Sequence, residues 1–213
     1  MSDSIVEINN LNKTIKNKVI LNNINLKLKK GNIYGIIGRN GSGKSMLFKA
    51  MCGLIKPTSG EIFIFTKPIH KGELPEDTGA IIENPGFIGQ CSAFKNLKML
   101  ASINSKIGDD DIRKIISLVG LDPNDAQPVK KFSLGMKQRL GIAQAIMEKP
   151  KFLILDEPMN ALDEEGVELV RSILLKLKEN EVTILMASHN KEDIEVLCDY
   201  VYKMKNGILT INS

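Results

Sequence analysis

The sequence predicts an α/β fold with a mostly parallel sheet, preceded by an N-terminal antiparallel β subdomain and interrupted by an inserted helical subdomain. Three observations carry that reading. The runs FLIL (Phe152 to Leu155) and VTILMA (Val182 to Ala187) are apolar almost throughout, as strands covered on both faces must be. A helix-length stretch from Glu164 to Lys178 separates them, and strand, helix, strand in that order makes a parallel pair. From Ile5 to Leu28 the pattern is instead short and alternating, with Ile20, Asn22, Ile24, Leu26 and Leu28 set against mostly polar neighbours, the signature of antiparallel sheet. Between about Pro85 and Lys149 the period becomes helical: Phe94, Leu97 and Ala101, then Ile112, Ile115, Ile116 and Val119, each share one face.

The remaining elements fall between these. IYGII after the Gly31-Asn32 turn is a buried strand ending at Gly38, followed by a glycine-rich loop and a helix to about Cys52. GEIFIF (Gly60 to Phe65) is a short strand, and Tyr200 to Ile211 reads as a closing hairpin around Asn206-Gly207. We expect one domain over 1–213, its core formed by 1–84 and 150–213 and its helical subdomain by 85–149.

Composition narrows the function classes. With 213 residues, 43% hydrophobic and 25% charged, the chain can bury a sizeable core. The net charge is +4, but the lysines are scattered among acids, so no nucleic-acid arm is expected. Cys52, Cys91 and Cys198 are far apart and odd in number, which suggests neither a disulfide framework nor a zinc site and fits a reducing cytosol. The opening MSDSIVEINN has no basic region leading into an apolar stretch, and no apolar run reaches bilayer length. The expected location is cytoplasmic, with membrane association only through another protein.

Gly38, Gly43, Lys44 and Ser45 match GxxxxGK[ST], and the match lies after a buried strand and before a helix, where a phosphate loop must lie. Glycines let successive N–H groups face the phosphates while the helix points its positive end at them. Lys44 adds a cation and Ser45 a hydroxyl for Mg²⁺. The candidate nucleotide contacts are therefore Gly38, Arg39, Asn40, Gly41, Ser42, Gly43, Lys44, Ser45 and Met46, the fold is that of a P-loop NTPase, and the expected ligand is ATP with Mg²⁺.

Asp156 closes an apolar strand at its carboxyl end, where ligands sit in parallel α/β sheets. It is suited to hold the metal, and Glu157 to polarise the water that attacks the γ-phosphate. His189 follows the second buried strand and is placed to sense that phosphate.

A further helix begins in KFSLGMKQRLGIAQAIMEKP, with Ser133 as its N-cap and Met136, Leu140, Ala143 and Met147 at helical spacing. With that segment in place, nearly the whole chain resembles the nucleotide-binding subunits of ABC transporters, whose signature loop (LSGGQ in many members) lies about where FSLGM does. The motifs keep the family's order: phosphate loop, coupling loop near Glu83, signature at Phe132 to Met136, LDEP at Leu155 to Pro158, NALD at Asn160 to Asp163, and Ser188-His189. The resemblance implies that two such domains pair head to tail, so that Ser133 and Gly135 of one lie over the ATP of the other. It also implies a transmembrane permease as partner, at the inner face of the cell membrane, driven by ATP-dependent dimerisation and released by hydrolysis.

Three positions depart from the family's wording. Ile15 stands where many members stack the adenine on an aromatic ring, so the base would meet an aliphatic face. Glu83 stands where a glutamine usually touches the metal; a carboxylate can still ligate it while adding negative charge beside the γ-phosphate. Leu134 and Met136 replace frequent glycine and glutamine, although Ser133 and Gly135 remain. The wording IIENPGF and FSLGMKQRL is similar to that of bacterial exporters conferring resistance to antimicrobial peptides or drugs. Other readings predict other features. A soluble ATPase of ribosomes or DNA would show two nucleotide domains or a long coiled coil. A phosphotransferase would lack the signature, Glu157 and His189 together. A regulatory module with poor turnover draws support only from Ile15 and Glu83.

Overall fold

The computed structural model describes residues 4–212. Two long strands, β1 (Ser4–Ile15) and β2 (Lys18–Lys29), pair antiparallel across a Lys16-Asn17 turn in which both residues have positive φ. They are followed by β3 (Ile33–Ile37), α1 (Lys44–Met51), β4 (Ser59–Ile64), the short β5 (Lys67–Pro68) and β6 (Thr78–Ile81). Three helices come next, α2 (Ala93–Asn104), α3 (Asp109–Leu118) and α4 (Leu134–Ile146). The chain then runs through β7 (Phe152–Asp156), α5 (Glu164–Glu179), β8 (Thr183–Ala187), α6 (Lys191–Leu197) and the hairpin β9 (Tyr200–Lys205) and β10 (Ile208–Ile211).

These strands form two sheets. The antiparallel one has the order β2-β1-β4-β5, and the other β10-β9-β3-β8-β7-β6, parallel throughout except for the edge strand β10. Because side chains alternate across a strand, the apolar runs of the parallel sheet divide between two cores. Ile33, Leu153, Leu155, Ile184 and Met186 pack with Leu97, Ile112, Ile116 and Leu140 of the helical segment. Tyr34, Ile36, Phe152, Ile154 and Leu185 pack on the other face with Leu47, Phe48 and the antiparallel sheet. The parallel sheet is thus the middle layer, and both faces need to be apolar.

Two local features correct the expected pattern. The pairing of β1 with β2 is interrupted by register shifts, and Asn23 takes φ +50, so the alternation of Ile24, Leu26 and Leu28 does not extend back to Ile20. Leu21 is the buried residue there, and Ile20 turns toward the end of the phosphate loop instead. The second feature is β6, which pairs parallel to β7 although its short TGAI run carries no strong strand signal. Gly79 makes the packing possible, since a Cβ at that position would run into the Ala145 carbonyl of α4. That contact seats α4 on the sheet.

Helices α5 and α6 are joined by a buried ion pair. The Arg171 guanidinium donates from Nε (3.0 Å) and Nη2 (2.7 Å) to Asp193 Oδ1, and from Nη1 to Glu168 (2.7 Å) and Glu192 (3.2 Å). The Arg171 side chain is 8% exposed and that of Asp193 1%. A single partner removed from such a pair leaves an uncompensated charge in low dielectric. Arg171→Met is accordingly expected to lower the unfolding free energy by about 3–5 kcal/mol, read as a shift of the urea midpoint at unchanged slope.

Candidate functional site

Four loops leave the carboxyl ends of adjacent parallel strands and meet at one edge of the sheet, the place where such sheets bind ligands. They follow β3, β6, β7 and β8. At their junction a cavity of about 540 Å³ is lined by residues 40–46 of the glycine-rich loop, by Glu83 and Asn84, by Asp156, Glu157 and Asn160, and by Lys18, Ile20 and Gln138. A larger cavity of about 1140 Å³ lies against the other side of the loop beside Arg39, His189 and Lys203, but it contains none of Lys44, Ser45, Asp156 or Glu157. The chemistry converges on the smaller one.

The loop is shaped to bind an anion. Gly41 (φ +77) and Gly43 (φ +116) take backbone conformations that L side chains rarely adopt, and a Cβ on Gly43 would stand 3.1 Å from the Ile20 carbonyl. Helix α1 begins at Lys44 without a side-chain cap, so its first N–H groups are open toward the cavity. Lys44 is buried and donates from Nζ to the Gly38 carbonyl at 2.7 Å, holding its charge at the loop's centre. The Ser42 hydroxyl is buried and has no hydrogen-bond partner among the described residues. An orphan of that kind is costly unless a ligand satisfies it, which fits a phosphate in the loop.

Ser45 and Asp156 could hold a divalent cation, since together they form a hard-oxygen pair. Ser45 Oγ donates to Asp156 Oδ2 at 2.5 Å, and Asp156 is buried at the end of β7. Among the described residues no group of three or more His, Cys, Asp and Glu side chains could hold a metal. A divalent cation held at this pair would depend on phosphate oxygens and water for its other ligands, so its binding would be linked to that of the nucleotide.

Glu157, next along, is held on three sides. It sits at φ +53, its N–H donates to the Ala187 carbonyl (2.9 Å), and its own carbonyl accepts from Gln138 Nε2 (3.3 Å). On the carboxylate, Oε2 accepts the His189 backbone N–H (3.2 Å) and faces His189 Nδ1 at 2.8 Å. A carboxylate only accepts, so that ring nitrogen carries the hydrogen and Nε2 remains directed elsewhere. Glu157 Oε1 has no protein partner among the described residues and is the oxygen open to a water.

Other expected site residues have different surroundings. The Glu83 carboxylate, at φ +59 and more than half exposed, pairs with Lys49 Nζ at 2.6 Å, so part of its charge is offset before any ligand arrives. Ile15 lies at the end of β1, 40% exposed, and does not line the cavity; its partner across the hairpin, Lys18, does. Ser133 caps α4 by accepting from the Met136 N–H at 3.1 Å, but it is exposed, Leu134 beside it is 71% exposed, and neither Ser133 nor Gly135 reaches this cavity. Sequence reasoning missed Gln138, Lys18, Ile20 and Asn84. Gln138 lay inside a segment that its apolar stripe already explained, and nothing in the β1–β2 hairpin revealed the bulge that aims Ile20.

A family model described as ABC transporter matches residues 21–160. The chain is 50% identical over 206 residues to the uncharacterized ABC transporter ATP-binding protein YybJ of Bacillus subtilis (strain 168), covering 96% of this chain and 94% of that protein. It is 41% identical to the bacitracin transport ATP-binding protein BcrA of Enterococcus faecalis, covering 96% of this chain and 68% of that protein. Among solved structures it is similar to the dimeric bacterial ABC transporter cassette MJ0796, with a TM-score of 0.86, 25% identity and 96% of each chain covered.

The donor set makes a graded expectation for magnesium. Asp156→Asn raises the Mg²⁺ concentration needed for half-maximal ATP binding by roughly 10- to 100-fold. Glu83→Ala shifts it by only about threefold, because that carboxylate is exposed and already paired. Titration of Mg²⁺ at fixed ATP with a fluorescent nucleotide checks both; equal effects at the two positions would contradict the assignment.

Proposed function

We propose the following division of labour from the premise that the chain belongs to the ABC transporter family, in which it is an ATP-binding and ATP-hydrolysing subunit. Gly38 to Met46 cradle the triphosphate through backbone N–H groups, with Lys44 turning from the Gly38 carbonyl to the phosphates. The cavity wall carries Lys18 and Lys44 against Glu83, Asp156 and Glu157. Two ammonium groups among three carboxylates cannot by themselves neutralise a triphosphate. Mg²⁺ held by Ser45 and Asp156, with Glu83 beside them, would supply the missing positive charge to the γ-phosphate oxygens. Glu157 Oε1 would accept the proton of the attacking water, while His189, which fixes Oε2 from the neighbouring cavity, would offer Nε2 to the phosphate.

One observation carries this reading: the residues for phosphate, metal and water meet at a single cavity, whereas the Ser133–Gly135 turn is built and capped but faces outward. A capped helix start with open N–H groups suits the γ-phosphate of a facing subunit. The site is then half a site, closed when two such chains sandwich ATP and reopened by hydrolysis. The division into a core of 1–84 with 150–213 and a helical part of 85–149 belongs to the same picture, since the helical part carries the turn that must reach the partner.

No helix among the described residues is long and apolar enough to cross a membrane. We place the chain at the inner face of the membrane through a transmembrane permease. A groove of about 640 Å³ between the sheet edge and the helices suits that contact. Leu54, Leu74 and Ile103 line it and are 58%, 61% and 75% exposed, and Gln144 Oε1 lies there buried without a partner. Asn84 lines both this groove and the nucleotide cavity, so the loop after β6 can report one to the other. Of the apolar residues that follow Asn84, Phe87 and Phe94 pack half-buried against the core and Ile88 is exposed. Similarity to the bacitracin transport protein supports a peptide antibiotic as the exported cargo.

Two measurements test the proposal. Glu157→Gln lowers ATP turnover by roughly 10²- to 10⁴-fold while a nucleotide-bound dimer accumulates on gel filtration; a variant that stays monomeric with ATP and Mg²⁺ contradicts the sandwich. In cells, mild-detergent purification of the wild-type chain brings down a polytopic membrane protein, and Leu74→Glu with Ile103→Glu abolishes that recovery without changing ATP binding.

A further inference from the structure

Helix α4 has one face that rides on the loop after β7. Gly135 approaches so closely that a Cβ there would stand 2.8 Å from the Ala161 carbonyl. Three residues on, and so on the same side of the helix, Gln138 extends its amide under the same loop. Nε2 donates to the Pro158 carbonyl at 3.0 Å and to the Glu157 carbonyl at 3.3 Å. Gln138 is 8% exposed, and its amide donates to both of these backbone carbonyls. The loop it holds is under strain: Glu157 (φ +53) and Ala161 (φ +63) both occupy the left-handed region without being glycine. Such conformations persist only where neighbouring groups over-determine them. On the other side of Glu157 the fastening comes from β8, through the Ala187 carbonyl and the His189 N–H.

We infer that Gln138 is a positioning residue for the Glu157 carboxylate, holding the strained backbone that aims Oε1 at the attacking water. The inference deepens the reading of Glu157 as general base and rests on it. Gln138 touches the backbone of the base rather than the reacting atoms, so its loss should misplace the base while leaving the phosphate loop and metal pair intact. A second consequence follows from its place on the helix. The same α4 that presents Ser133 outward grips the base of its own chain, so a displacement at Ser133 is transmitted to Gln138 through about the first turn and a half of a rigid helix.

The test uses the full chain and ATP with Mg²⁺. Gln138→Met, similar in length but without a donor, lowers kcat by roughly 10- to 100-fold while KM stays within about threefold. Gln138→Lys, which restores a donor of similar reach, recovers a large part of kcat. In the Glu157→Gln background, Gln138→Met still yields the nucleotide-bound dimer, since closure does not require a placed base. An unchanged kcat in Gln138→Met overturns the inference, as does a KM that rises in step with the loss, or a trapped dimer that no longer forms. Should Gln138→Met fail to fold, Gln138→Lys and Gln138→Glu decide the matter: the carboxylate has no hydrogen to give two carbonyls and must be the poorer of the pair. Failure of the underlying reading is separate, because a Glu157→Gln chain that still turns over ATP at the parent rate removes Glu157 as base whatever Gln138 does.

Discussion

Ser45 and Asp156 are 111 residues apart in the chain, yet hydroxyl and carboxylate meet at 2.5 Å. That meeting requires β3 and β7 to lie in one parallel sheet with β8 between them, so that the ends of all three strands come to one edge. It also requires both faces of the sheet to be covered, because the parallel strands that carry the pair are apolar on both sides. The antiparallel sheet and α1 cover one face, the helical segment and α5 the other. Much of the architecture can thus be understood as the support for two oxygen ligands and the lysine beside them.

The chemistry depends on backbone that would not choose its conformation alone. Glu83, Glu157 and Ala161 all have positive φ, each in a loop at the carboxyl edge. Side-chain caps at Ser133, Asp163 and Asn190 start the three helices that border this edge, fixing how each loop ends. Behind them the Arg171–Asp193 pair locks α5 to α6, and Ser188 Oγ reaches Asp193 at 3.4 Å, so the turn that carries His189 is tied into a buried ionic network. Strain at the site is opposed by rigidity one layer away.

Half of the machinery faces outward. The Ser133–Gly135 turn satisfies its own helix start but lies away from its chain's cavity. In the proposed sandwich, a site that binds from one side and is closed from the other would make hydrolysis contingent on a second subunit, linking nucleotide turnover to movement. The loop after β6 is the segment shared by groove and cavity, and in the proposed assembly it would connect the nucleotide to the membrane partner.

Some of this was legible residue by residue. The phosphate loop, Asp156, Glu157 and His189 could be read because each is a local pattern: a short motif or an acid at the end of an apolar run, flanked by elements whose periods are unmistakable. The order of these motifs along the chain carried the family, and similar proteins bear that out. The strand β6 could not be read, because four residues with a glycine become a strand only when β7 is beside them and α4 lies on top. Ile20 and Leu21 exchange roles at a bulge that depends on pairing with β1 rather than on their own alternation. Gln138 looked like one polar residue on an amphipathic helix, and only the approach of the Glu157–Ala161 loop gives its amide a task. The sequence by itself determined which chemistry the chain carries, since covalent pattern decides donors and acceptors. Which of those groups face one another, and which point away from the cavity, was decided by tertiary packing, because contacts between distant segments exist only after the sheet has brought them to a common edge.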